Sequence, residues 1–512
     1  MNNKKISILV ILDGWGIGPK DDTNAIHLAK TPTFDFLTKE YPYCELAAHG
    51  NAVGLDSHQV SGSETGHMNI GAGRIAKQDS RIISESINNG SFFRNPVLKG
   101  AVKHVKKYNS NLHLMGLLGN EDSPHMRPYH LRALLLLTKE NGVKNVFIHF
   151  FTDGRDSYSK SAPEHLKAWE KITKSVGIGK IATVIGRFYA MDRAKNWDRL
   201  KKAYDLLVNN SGKKFSSSQK AIEYFYKMGI GDEYIGPSVI TENGKPIAKI
   251  EDNDAVVFYN LRSDRARQFS KLFVLDKSGE VKLPKPRLNN LYFAAMTDFG
   301  PDLPLHTAFP GKTHTGTLPV AFRAVRQLYI AETEKFAHIT YFLNGGFSDS
   351  VAGEERIMIP SPITDSYAKI PEMSAEKITF KILNSIKKDK HDFIVVNYAN
   401  TDMVGHTGDI KATIKAAEAV DGEVNKLYKK IKERDGYLFV TADHGNADCM
   451  WDKKAKLPVT FHTKNPVPFI VCNDSLKKKK LDSGGVLGNI APTICDILEI
   501  EKTPEMKLKS LF

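Results

Sequence analysis

Short runs of Val, Ile, Leu and Phe recur along this chain, each ending at once in a polar loop. That recurrence narrows the available folds more than any other feature. The runs cover residues 6–12, 112–118, 146–151, 181–185, 255–259, 292–296, 339–343, 393–397, 437–441 and 468–472. Longer stretches with helical spacing, such as 162–175 and 411–434, lie between many of them. Strands alternating with helices predict an α/β protein with mostly parallel sheets. No internal repeat or low-complexity linker divides the chain.

In such sheets ligands collect beyond the carboxyl ends of the strands, and chemically loaded residues fall there repeatedly. Asp13 follows the 6–12 run, Asp402 and His406 follow 393–397, and Asp443 and His444 follow 437–441. A single aspartate after a strand is ordinarily a turn residue or helix cap; three such places with histidines attached point to metal. Asp402 and His406 are four residues apart, so a helical turn puts them on one face. Gly445 lets the backbone approach closely beside Asp443-His444. His462, in Phe461-His462-Thr463, gains weight as a ligand from these pairs. Near the N-terminus, Ser61-Gly62-Ser63-Glu64-Thr65-Gly66-His67 surrounds Ser63 with glycines that let the chain turn and present a hydroxyl. A serine hydroxyl is a weak nucleophile near neutral pH, and a bound metal favours its alkoxide. Aspartate and histidine ligands without cysteine suit manganese or zinc.

The middle of the chain gathers arginines at strand ends: Arg155 in Asp153-Gly154-Arg155-Asp156, Arg187 and Arg193 after 181–185, Arg262 and Arg265 after 255–259. Guanidinium forks bind carboxylate and phosphate bidentately, so this set predicts a pocket for a substrate carrying both. The same arginines qualify the net charge of +14, which by itself also permits nucleic-acid binding. The densest basic run, 477–480, has no interleaved aromatics, and no nucleic-acid motif accompanies it. No nucleic-acid partner is expected.

The 6–12 run is too short for a typical secretion signal and closes on Asp13-Gly14-Trp15-Gly16, so it reads as a buried strand. No apolar stretch is long enough to cross a membrane; the longest, at 134–137, is bounded by Arg132 and Lys139. Four scattered cysteines form no CxxC pair and predict a reducing, cytoplasmic setting.

Five segments, taken in order, resemble the cofactor-independent phosphoglycerate mutases of the alkaline phosphatase superfamily. They are Leu12-Asp13-Gly14-Trp15-Gly16, the stretch from Gly62-Ser63-Glu64 to Gly73-Arg74, Asp402-Met403-Val404-Gly405-His406-Thr407-Gly408, Thr441-Ala442-Asp443-His444-Gly445-Asn446 and His462-Thr463 with Asn465-Pro466-Val467-Pro468. The resemblance implies two divalent ions, expected to be manganese. One would be held by Asp402, His406 and His462, the other by Asp13, Ser63, Asp443 and His444. Ser63 would carry the phosphoryl group, without any need for 2,3-bisphosphoglycerate. It casts Arg155, Arg187, Arg193, Arg262, Arg265 and Lys335 as substrate ligands and Asp156 as the general acid/base. His125 aligns with the family's substrate histidine, with His130 as the alternative, because the 119–130 loop departs from the family pattern. Gly62 and Thr401 are further departures.

Nucleophile and ligands come from both ends of the chain while the arginines lie between. A metal domain of residues 1–76 and 311–512 with an inserted substrate-binding α/β domain of 77–310 is therefore expected, as a monomer. Interconversion of 3-phosphoglycerate and 2-phosphoglycerate is the expected activity. A phosphatase or pentose-phosphate mutase of the same superfamily would share the ligands without needing the five arginines in these contexts.

Overall fold

A computed structural model describes residues 5–121, 123–275, 287–300 and 302–512; Asp122 of the 119–130 loop lies outside them. The chain forms two compact units, Met1–Gln78 with Lys312–Phe512, and Asp79–Gly311.

The first unit is built on a seven-stranded sheet. Ser7–Leu12 is central, paired in parallel with Phe393–Tyr398 on one side and Tyr437–Thr441 on the other. All six residues of Ser7–Leu12 are buried, as a parallel strand covered on both faces requires. Burying each Val, Ile or Leu there contributes about 1.5–3 kcal/mol. Gln327–Glu332 and Glu355–Ile359 extend the sheet in parallel beyond Phe393–Tyr398. The other side ends in antiparallel Val467–Cys472 and Tyr43–Leu46.

The second unit holds a larger sheet whose parallel centre runs Tyr292–Thr297, Ala255–Phe258, Leu112–Leu118, Val146–Thr152 and Lys180–Gly186. Antiparallel Ser238–Glu242 follows on one side. Its core is separate from that of the first unit.

One expected strand is corrected. Residues 339–342 lie in a π-helical turn, His338–Phe342, that Leu343 caps, and the strand in this part of the chain is Gln327–Glu332. Ile339 and Leu343 are fully buried while Tyr341 is 39% exposed, an i, i+4 pattern that strand alternation would not give. Short apolar runs do not distinguish strand from buried helix by periodicity. Among the described residues, no helix is long and apolar enough to cross a membrane.

Candidate active site

In the first unit, the loaded residues leave neighbouring strands at their carboxyl ends. Asp13 follows Ser7–Leu12, Lys335 follows Gln327–Glu332, Asp402 lies in the short helix Asn400–Gly405 after Phe393–Tyr398, and Asp443 and His444 follow Tyr437–Thr441. Gly14, at φ +77°, turns the chain where a Cβ would lie 2.8 Å from the Asp402 Cα, so the Asp13 and Asp402 segments pack at a distance only glycine permits. Ser63 is the first residue of the helix Ser63–Ala72.

Two groups with ligand spacing result, Asp402 with His406 and His462, and Asp13 with Asp443 and His444. In the first, Asp402 Oδ1 is 3.3 Å from both His406 Nε2 and His462 Nε2. His406 Nδ1 donates to the Thr460 carbonyl at 2.6 Å and His462 Nδ1 to the Ser61 carbonyl at 2.8 Å. With Nδ1 donating, the Nε2 of each ring, when neutral, turns a lone pair inward, and the two Nε2 atoms are 3.2 Å apart. Two lone pairs facing each other beside a carboxylate fit a shared cation, and the Nδ1 bonds fix the tautomer that binding requires. Burial and the neighbouring His444 push the His462 pKa down to about 4, which keeps that ring neutral.

In the second group, His444 Nε2 is 3.4 Å from both Asp13 Oδ1 and Asp443 Oδ2 and 3.0 Å from Ser63 Oγ. Burial disfavours its charge, but Asp443, Asp13 and Asp402 outweigh burial and push His444 up to about 9. Lys335 Nζ donates to Asp13 Oδ1 and Asp402 Oδ2 at 2.6 Å and to Ser63 Oγ at 2.7 Å. Ser63 Oγ donates to Asp13 Oδ1 at 3.1 Å. Desolvation opposes ionisation of the buried Asp402, yet the Lys335 ammonium outweighs it and holds the carboxyl well below the usual carboxylate range. Both donor sets are oxygen and imidazole, the chemistry of a first-row divalent ion.

The second unit carries the arginines. Asp153 Oδ1 accepts the backbone N–H groups of Arg155 and Asp156, shaping the turn after Val146–Thr152, and also accepts Arg187 Nη1 at 2.6 Å. Arg187 also bonds Asp156, and its Nη2 donates to His125 Nε2 at 2.9 Å. His125 Nε2 lies 3.2 Å from Asp156 Oδ2. Burial opposes the Asp156 charge, but the Arg187 guanidinium outweighs burial and holds it well below the usual carboxylate range. His130 belongs elsewhere, with Nε2 2.9 Å from Ser84 Oγ; of the two candidates, His125 is the one beside Asp156 and Arg187. Arg193 and Arg262 both reach Asp264, at 3.3 and 3.5 Å, and Arg155 lies 3.8 Å from Glu233. Burial, then Arg193 and Arg187, lower the Arg265 pKa, the effect of cations crowded together and shielded from water.

Sequence reasoning missed Asp153 and Asp264, the carboxylates that order this crowd, although both sit among the arginines at the strand ends. It also gave no role to His67, whose Nδ1 donates to the Ser63 carbonyl at 2.8 Å, or to Asn397 and Asn446. His67 and Asn446 lie within the motifs; Asn397 closes an apolar run and leaves no signal of its own.

The two-ligand-set site on a parallel sheet defines a metalloenzyme, and the sequence model of the Metalloenzyme superfamily matches residues 5–502; the chain belongs to that superfamily. The 2,3-bisphosphoglycerate-independent phosphoglycerate mutase of Clostridium beijerinckii is 45% identical over 512 residues, covering 99% of each chain. That of Clostridioides difficile is 44% identical over 511 residues, with the same coverage. A crystal structure of Leishmania mexicana phosphoglycerate mutase at low cobalt concentration superposes with a TM-score of 0.88 at 30% identity, covering 100% of this chain and 98% of that one. Within its superfamily, the chain is a member of the 2,3-bisphosphoglycerate-independent phosphoglycerate mutase family.

Proposed function

We propose that this enzyme, an isomerase by family, interconverts 3-phosphoglycerate and 2-phosphoglycerate through a phosphoserine on Ser63, using two divalent ions. The observation that carries the reading is the surroundings of Ser63 Oγ: Asp13 Oδ1, His444 Nε2 and Lys335 Nζ all lie within 3.1 Å of it. A serine held this way, at the start of a ten-residue helix, is suited to receive a phosphoryl group, because helix N–H dipoles favour negative charge there.

Transfer forms the Oγ–P bond as the P–O3 bond of 3-phosphoglycerate breaks, and the return step forms P–O2 as Oγ–P breaks. Over the cycle one proton moves from O2 to O3. We assign that relay to Asp156, whose carboxylate is held ionised and so can accept. Arg155, Arg187, Arg193, Arg262 and Arg265 are read as the groups that bind carboxylate and phosphate, with His125 donating or accepting beside Asp156. Asp402, His406 and His462 would hold one ion and Asp13, Ser63, Asp443 and His444 the other; such ions lower the cost of the Ser63 alkoxide and of charge on the phosphoryl oxygens. Oxygen and nitrogen donors without thiolate suit manganese or zinc, and manganese is the ion proposed here. Lys335 completes the positive field. The metal residues belong to 1–76 and 311–512 and the arginines to 77–310, the division of labour proposed for the two parts of the chain. Four free cysteines accord with a cytoplasmic enzyme.

Purified protein with manganese and 3-phosphoglycerate, without 2,3-bisphosphoglycerate, should form the 2-isomer, and Ser63→Ala should not. Strict dependence on the bisphosphate, or retained turnover in Ser63→Ala, would overturn the reading.

A further inference from the structure

Two fully buried asparagines lie behind the ligand groups, and each serves the group to which its own segment does not belong. Asn397 is the penultimate residue of the strand Phe393–Tyr398, which leads into Asp402, yet its Nδ2 donates to Asp13 Oδ2 at 2.8 Å. Asn446 follows Asp443-His444, yet its Nδ2 donates to Asp402 Oδ1 at 2.9 Å. We infer that Asn397 and Asn446 are positioning residues that cross-brace the two metal sites, so that each ligand-bearing segment tunes the ion held by the other. The inference rests on the ligand reading above.

The amide orientations are forced. Asn397 Nδ2 also faces His67 Nε2 at 3.0 Å, and that ring already spends its Nδ1 proton on the Ser63 carbonyl. A flipped amide would set its oxygen against the Asp13 carboxylate, so nitrogen occupies this place. Asn446 Nδ2 likewise faces two acceptors, Asp402 Oδ1 and, at 3.4 Å, the Asp402 carbonyl.

Both orientations leave the amide oxygen buried without a hydrogen-bond partner among the described residues. An orphaned buried acceptor is destabilising, because it gives up its bonds to water and gains none in return. A residue there only to fill space would be apolar, so the fold sustains that cost for the amide–carboxylate bond. The chain also leaves room for it: a Cβ on Gly405 would lie 2.5 Å from Asn446 Oδ1. The bonds act on orientation. With Asp13 Oδ2 held from behind, Oδ1 is the oxygen turned toward Ser63 and His444. Asn446 pins Asp402 at the oxygen that His406 and His462 face. Partners of this kind typically change metal affinity by 10–100-fold when removed.

The crossed pattern is the test, read by manganese titration calorimetry on the full chain. His462→Ala disables the Asp402 group and His444→Ala disables the Asp13 group, and each variant should bind one ion. Two ions retained in either would refute the ligand reading itself. In the His462→Ala background, Asn397→Leu should weaken the remaining ion by about 10–100-fold while Asn446→Leu leaves it nearly unchanged. In the His444→Ala background the two effects should exchange. Equal losses in both backgrounds, or each asparagine acting on its own segment's ion, would overturn the cross-brace while leaving the ligand reading intact. If a leucine variant lacks a cooperative unfolding transition, the corresponding alanine variant is titrated instead, with the same crossed pattern required.

Discussion

Lys335 Nζ lies 2.7 Å from Ser63 Oγ and, at 2.6 Å each, bonds one carboxylate from either ligand group, Asp13 and Asp402. One buried ammonium thus joins the nucleophile to both acidic clusters, and burial makes its removal costly.

Lys335→Met should therefore destabilise the protein strongly in the presence of a chelator, because two buried carboxylates lose their counter-ion. Breaking a buried pair from one side typically costs about 3–5 kcal/mol. Manganese should recover a larger share of stability in the variant than in the parent, since the ions replace the missing charge. Thermal unfolding with chelator and with manganese measures both; identical midpoints for variant and parent in chelator would remove this role from Lys335.

Metal binding should release protons. His444 is pushed up to about 9 and must give up its proton to serve as a ligand. Below that pH the apparent affinity of its site should rise with pH by up to about tenfold per unit, and it should level off above it. Calorimetry in buffers of different ionisation enthalpy reads the proton directly. Heats independent of the buffer at pH 7 would contradict a protonated His444.

Arg262→Ala and Arg265→Ala should raise KM and leave manganese stoichiometry unchanged, since both arginines belong to the unit that holds neither ligand group. Truncating one partner of a charged, hydrogen-bonded pair costs about 2–5 kcal/mol. A parallel loss of bound metal would show that these side chains act on the metal groups and not on substrate.

Acid should destabilise the second unit through its buried histidines. Burial, then Arg187, pushes His125 down to about 3; burial, then Arg127, does the same for His130; and burial, then His113, holds His149 well below its usual value. Above pH 6.5 these rings are neutral folded or unfolded. As pH falls from 6.5 toward 3 the unfolded chain takes up protons that the folded chain does not, so stability falls with pH by about 1.4 kcal/mol per unit for each such ring. His130→Gln should flatten this slope in urea titrations between pH 7 and 5. An unchanged slope would mean that His130 titrates in the folded protein.

Much of this site was legible in the sequence because its chemistry is local. Asp402 and His406 share a helical turn, Asp443 adjoins His444, and the runs that precede them form strands whose carboxyl ends present these side chains. The arginines were legible for the same reason, each lying just beyond a strand of the second unit. The 339–343 run misled because so short a mostly apolar run carries no period of its own, and the buried positions 339 and 343 emerge only against the Ser63–Ala72 helix, where a Cβ on Gly71 would meet the Leu343 carbonyl at 1.9 Å.

The alternation of elements, the residues loaded at their ends and the oxygen-and-imidazole character of the donors are all properties of neighbouring residues, and so are written in the sequence. Tertiary structure alone decided which loaded residues meet. It set His125 beside Arg187 and sent His130 to Ser84, and it turned two histidine lone pairs toward each other across 3.2 Å. It also brought Asn397 to Asp13 across 384 positions, because parallel pairing sets Ile11 beside Asn397. Strand register is a long-range quantity: it is fixed by how whole sheets bury their faces, and no window of sequence around Asn397 contains it.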